Sequence, residues 1–120
     1  MSPPNSSPSR KLPLSPRVFH ILLALVDGPE HGYRIMKEAE TRSAGKVRIG
    51  PGTLYEAIHR LDLDGLIEEC AARVGDASAE RRRYYRLTRA GRRLLEAEST
   101  RLADIVDYVN RKRLVQRGSA

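Results

Sequence analysis

In this 120-residue chain, the side chains best suited to grip a polyanion cluster in one stretch, Gly50 to Ile67. Thr53, Tyr55, Glu56, His59 and Arg60 alternate there with Leu54, Ile58 and Leu61. The three apolar residues recur at i, i+4 and i+7, which sets them on one face of a helix and turns the polar set away from it. Hydroxyl, carboxylate and guanidinium groups on an exposed helix face can bond phosphate oxygens and base edges. Gly65 stands where such a helix would stop, because the residue past the last turn often takes the left-handed conformation that glycine adopts without penalty.

Each of these residues also has a plainer reading. Thr53 either caps the helix start or touches phosphate, and helix N-termini attract phosphate in any case. Tyr55 is either a core aromatic or an outward-facing hydroxyl, and Leu54 and Ile58 already fill the core face. Of the exposed pair His59 and Arg60, Arg60 is the better candidate for DNA. Glu56 could accept from a cytosine amino group, yet repulsion by phosphate favours a solvated role equally. A second basic group, Arg81, Arg82 and Arg83, lies near a turn and reads as a phosphate contact or as a solvated hairpin face.

The flanking segments are what must position these groups. Pro3 to Pro13 is rich in Pro and Ser and is expected to be a disordered tail, residues 1–13. Ser15-Pro16 is an N-cap followed by proline at the first helical position. Val18, Phe19, Ile21, Leu22, Leu23, Leu25 and Val26 then make a helix apolar around most of its circumference, closed by Asp27-Gly28-Pro29. A second, amphipathic helix is expected from His31 to about Ser43, with Tyr33 packed inward. Leu66 to Val74 and Arg81 to Leu87 read as two strands around a polar loop, a β-hairpin in which Tyr85 and Leu87 share the inner face. Thr88 caps a long final helix carrying Leu94, Leu95, Leu102, Ile105, Val106 and Val109.

Composition narrows the partner. The net charge is +7, carried mostly by arginine, whose planar fork suits phosphate. No apolar run approaches the ~18 residues that span a bilayer, and the N-terminus lacks the apolar segment of a secretory signal. One cysteine, Cys70, permits no internal disulfide and fits a reducing, cytoplasmic setting. The three histidines and Cys70 lack the short spacings of a zinc site, and Cys70 reads as a small core or strand residue. There is no Ser/His/Asp set and no glycine-rich phosphate loop, so neither enzyme activity nor a cofactor is expected.

Helix, helix, helix, strand, loop, strand, helix is the order of a winged helix-turn-helix: mainly α with a small β-hairpin, plus a long C-terminal helix. Residues 50–61 would enter the major groove, and the hairpin, or wing, would lay its arginines on the backbone. The expected divisions are residues 14–88 for the DNA-binding domain, 89–113 for a dimerisation helix and 114–120 for a flexible tail. Leu95, Leu102 and Val109 fall seven apart, an apolar stripe that needs a partner.

Leu14-Ser15-Pro16, His31-Gly32-Tyr33, Pro51-Gly52-Thr53-Leu54-Tyr55, Arg60-Leu61 with Gly65-Leu66-Ile67, and Tyr85-Arg86-Leu87-Thr88 with Gly91 together resemble the PadR family of transcriptional regulators. The resemblance covers roughly residues 14–106 and is to the compact subfamily, whose single C-terminal helix is short beside the long additional helical domain of the other. It implies a bacterial winged-helix homodimer, usually a repressor, whose last helix builds the dimer, and it implies a phosphate contact for Tyr55. Glu56 stands where many members have proline. There is no tryptophan, so the drug-stacking aromatic pair of some relatives does not carry over.

The resulting expectation is a cytoplasmic homodimer on a pseudo-palindromic DNA operator. Its dimer contacts would come from Phe19, Leu22, Leu95, Leu102, Ile105, Val106 and Val109. A small apolar or aromatic effector would lodge between Phe19 and Leu22 of the first helix and Leu102 and Ile105 of the last. The alternative is a winged-helix dimer serving as a protein-interaction module, with incidental DNA affinity.

Overall fold

Ser15 Oγ accepts a hydrogen bond from the Val18 amide at 3.2 Å, and Pro16 occupies the first helical turn, where its missing N–H costs nothing. The helix they start is α1, Pro16–Ala24, in a computed structural model that describes residues 11–72 and 82–116. There follow β1 (Glu30–His31), α2 (Gly32–Arg42), α3 (Pro51–Leu63), β2 (Ile67–Cys70), β3 (Tyr84–Leu87) and α4 (Arg89–Arg111). The strands form one antiparallel sheet in the order β1-β3-β2, with Glu69 opposite Tyr85 and His31 opposite Tyr84.

Four helices and the sheet share one core. Ile21, Leu22 and Leu25 come from α1 and its exit, and Ile35 and Ala39 from α2. Leu54, Ile58 and Leu61 come from α3, Leu94 and Leu95 from α4, and Ile67 and Tyr85 from the sheet. Because α1 is covered from several sides, even Leu23 and Val26 are half-buried.

The third helix ends as its glycine requires. Gly65 takes φ +75°, its amide reaches the Asp62 carbonyl at 3.0 Å, and the Leu66 amide reaches the Leu61 carbonyl at 2.9 Å. The same paired closure ends α2, except that the left-handed position is Ala44, at φ +54°.

Four details differ from the sequence expectation. The hairpin is joined by a third strand, β1, whose two residues between Pro29 and a helix carry no periodic signal. Tyr33 does not pack inward: α2 buries Gly32, Ile35 and Ala39, and this leaves Tyr33 55% exposed. On β3 both tyrosines are buried, because Tyr84, on the face opposite to Tyr85, is covered by the His31 ring edge at 5.4 Å. The fold also begins earlier than residue 14. Leu12 packs on the core, and Lys11 pairs with Asp64 at 3.7 Å.

Candidate nucleic-acid interface

α3 presents its residues in three stripes. Leu54, Ile58 and Leu61 are buried, at 0%, 4% and 4% exposure, and hold the helix to the core. Thr53, Glu56 and Arg60, at i, i+3 and i+7, form a second stripe. Together with Arg17, Val18 and Leu14 they line a cavity of about 530 Å3 between α1 and α3. Tyr55 lies on a third stripe, 50% exposed, and turns toward the wing. His59 is exposed and lines neither hollow.

Toward the wing, a depression of about 350 Å3 gathers His31, Gly32, Tyr33, Tyr55, Arg82, Arg83 and Tyr85. Three chain segments meet there: the β1–α2 junction, the first turns of α3 and the wing stem. Both arginines are held in place. Arg82 Nη1 stands 2.7 Å from His31 Nε2; a guanidinium only donates, so the imidazole nitrogen accepts. His31 also caps α2, with Nδ1 3.3 Å from the Arg34 amide. A neutral ring has a single proton-free nitrogen, so the two contacts compete and the shorter one dominates. Arg83 bonds the Tyr85 hydroxyl, which burial and, secondarily, the Glu69 carboxylate hold above the ordinary phenol range and therefore protonated.

Arg86, the next arginine on β3, is neutralised by Glu68, with both Nε and Nη2 at 2.9 Å from the same carboxylate oxygen. Arg82 and Arg83 have no such acidic partner among the described residues. Arg81, expected to join them, lies outside the described residues. Four of the five candidates of α3 and the two described wing arginines thus separate into two neighbouring groups, Tyr55 with Arg82 and Arg83, and Thr53 with Glu56 and Arg60, and His59 belongs to neither. Sequence reasoning did not assign His31 and Tyr85 as the supports of the arginines. The register of β1 on β3 brings His31 there, whereas Tyr85 follows Arg83 by two residues in the same segment.

The first turns of α4 are joined to the end of α3. The Thr88 amide bonds the Leu66 carbonyl at 3.1 Å, its hydroxyl donates to the Gly65 carbonyl at 2.6 Å, and Oγ1 accepts from the Gly91 amide at 3.1 Å. Gly91, Leu94, Leu95 and Glu98 are buried against the rest of the chain. Two expected dimer residues therefore require correction: Leu22 and Leu95 are exposed by only 0% and 4% within one chain, leaving no surface to give to a second copy. Their apolar spacing is that of a protomer core. Beyond Glu98, α4 leaves Ile105 47%, Val106 42% and Tyr108 55% exposed, with Phe19, Leu102 and Val109 half-buried.

Cys70, on β2, is half-buried, and burial pushes its thiol up, away from the reactive thiolate form. Among the described residues no group of three or more His, Cys, Asp or Glu could hold a metal ion, and no helix is long and apolar enough to cross a membrane.

A three-helix core presenting α3, with a stranded wing beside it, defines a winged helix-turn-helix protein. The chain belongs to the PadR-like family of transcriptional regulators, whose family model matches residues 21–97. It is 38% identical over 91 residues to the transcriptional regulator Rv3488 of Mycobacterium tuberculosis, covering 76% of this chain and 79% of that protein. It is 41% identical over 83 residues to an uncharacterized 37.1 kDa protein in transposon TN4556 of Streptomyces fradiae, covering 69% of this chain but 22% of that protein. Among solved structures, a PadR family transcription regulator from Clostridium difficile superposes with a TM-score of 0.65 at 26% identity, over 81% of this chain and 97% of that one. Bacillus subtilis PadR in complex with operator DNA shares the fold, with a TM-score of 0.55 at 21% identity, over 67% of this chain and 44% of that one.

Proposed function

We propose that this regulator binds operator DNA as a homodimer and represses transcription, with α3 in the major groove and the wing stem on the backbone. The observation that carries this reading is the depression that Tyr55 lines together with Arg82 and Arg83. A hydroxyl and two guanidinium groups from separate elements match the oxygens of a phosphodiester. Thr53, Glu56 and Arg60 lie along the adjoining stripe, where groove-facing side chains read base edges, and His59 lies on the exposed helix surface between that stripe and Tyr55. Bacillus subtilis PadR, of the same fold and in complex with operator DNA, supports the DNA-binding reading.

Homodimerisation is assigned to the distal half of α4, through Leu102, Ile105, Val106 and Val109, with Phe19 alongside. The two recognition helices would then meet half-sites about one helical turn, ~34–36 Å, apart. An apolar or aromatic effector bound unequally by the two dimer states would alter that spacing and release the DNA. The test is a gel shift of the full chain on its own upstream region against unrelated competitor DNA. At least ~10³-fold preference is expected, and equal competition would favour the protein-interaction reading.

A further inference from the structure

Gly32 is the first residue of α2, and its backbone does not demand a glycine: it lies outside the left-handed region that Gly28, Gly45 and Gly65 occupy. Its missing side chain has another consequence. A Cβ at this position would lie 2.6 Å from the Tyr55 hydroxyl oxygen, 3.1 Å from Tyr55 Cζ and 3.2 Å from Leu54 Cδ2. Non-bonded atoms do not tolerate the first of these separations, so any other residue here displaces the end of Tyr55. Leu54 is fully buried and holds its place, whereas the half-exposed Tyr55 ring is free to swing toward solvent. The Tyr55 hydroxyl makes no hydrogen bond to a described residue, so the backbone of α2 packs under it without anchoring it.

We propose that Gly32 is the positioning residue for the DNA-backbone contact of Tyr55. Its bare Cα leaves the space that the hydroxyl occupies in the depression shared with Arg82 and Arg83, so that all three are directed at the same phosphodiester. Glycine at position 32 thereby acts on DNA through Tyr55, and a methyl group in its place turns the hydroxyl away from the arginines. This assignment rests on the DNA-binding reading above.

The test is fluorescence anisotropy of the full chain on a labelled duplex of arbitrary sequence, over a series of salt concentrations, at temperatures well below every variant's melting point. Tyr55→Phe is expected to weaken binding about tenfold per phosphate bond, the scale of a hydrogen bond to a charged acceptor. Its salt slope stays at the wild-type value, since a neutral hydroxyl displaces no counterion. Gly32→Ala is expected to show the same loss and the same slope. The double variant Gly32→Ala/Tyr55→Phe is expected to bind no worse than Tyr55→Phe alone, the non-additivity of two changes acting through one group.

Wild-type affinity in Gly32→Ala, an extra loss in the double variant, or a reduced salt slope in Gly32→Ala each overturns the role of Gly32 while leaving the Tyr55 contact in place. Wild-type affinity in Tyr55→Phe overturns the phosphate contact of Tyr55, and the role of Gly32 with it.

Discussion

Glu98, on α4, is a carboxylate that the fold buries. In the chain it interrupts an apolar stripe; in the fold it is 2% exposed and fully used. Its Oε2 accepts from the Leu14 amide at 2.9 Å and from Arg101 Nη2 at 3.0 Å, and Arg101 Nε bonds the other oxygen. These bonds, Arg101 foremost, outweigh burial and hold the carboxyl below its ordinary range. A depressed folded-state pKa stabilises the protein above the ordinary carboxylate range, and that stability is lost as pH falls through the folded value. Urea titrations should therefore show Glu98→Gln narrowing the gap in midpoint between neutral and acid pH, by lowering the neutral-pH value. Ala44 is a smaller case. It closes α2 at φ +54°, where a side chain is strained, so Ala44→Gly should raise stability by about 0.5–1 kcal/mol in thermal melts.

At the level of elements, the wing stem and the α3–α4 junction carry the most specific consequences. Arg82 and Arg83 are displayed at the start of β3, clear of acidic partners among the described residues, while Arg86 is spent on Glu68. Replacing Arg82 and Arg83 by alanine should weaken binding to every sequence and lower the salt slope by about 0.9 for each phosphate no longer neutralised; an unchanged slope would remove the wing from the interface. Changing Arg60 or Glu56 should instead alter which sequence is preferred. At the junction, a Cβ on Gly91 would lie 1.9 Å from the Leu66 carbonyl oxygen, and a backbone atom has no rotamer by which to move aside. Gly91→Ala should cost about 3 kcal/mol or more in denaturant unfolding, and a wild-type midpoint would contradict that packing.

Across the whole molecule, α4 divides into a half packed on its own chain and a half left exposed. At 1.5 Å per residue its 23 residues extend about 35 Å, farther than the core beneath them can cover. The half up to Glu98 belongs to the protomer, and the half carrying Ile105, Val106 and Tyr108 is left with apolar surface in water. Ile105→Glu should convert a dimer to a monomer in sedimentation velocity with little change in melting temperature, because Ile105 contributes little to its own protomer. Operator affinity should fall with it, since two linked half-sites bind far more tightly than one.

The sequence by itself determined the order of the four helices and the two hairpin strands, the buried face of α3, the glycine stop at Gly65 and the caps at Ser15 and Thr88. All of these are local: they depend on periodicities of a few residues and on backbone preferences that neighbours in the chain impose. The family was also legible, because five short motifs stand in order at fixed spacing. Only the tertiary structure decided that β1 pairs with β3, that Tyr84 is covered and Tyr33 is not, and that Leu22 and Leu95 serve one protomer. It alone sets Gly32 under Tyr55 and Glu98 under Leu14, residues 23 and 84 positions apart. Such contacts depend on where distant segments meet, and the apolar pattern that fills a core is the same pattern that would fill an interface.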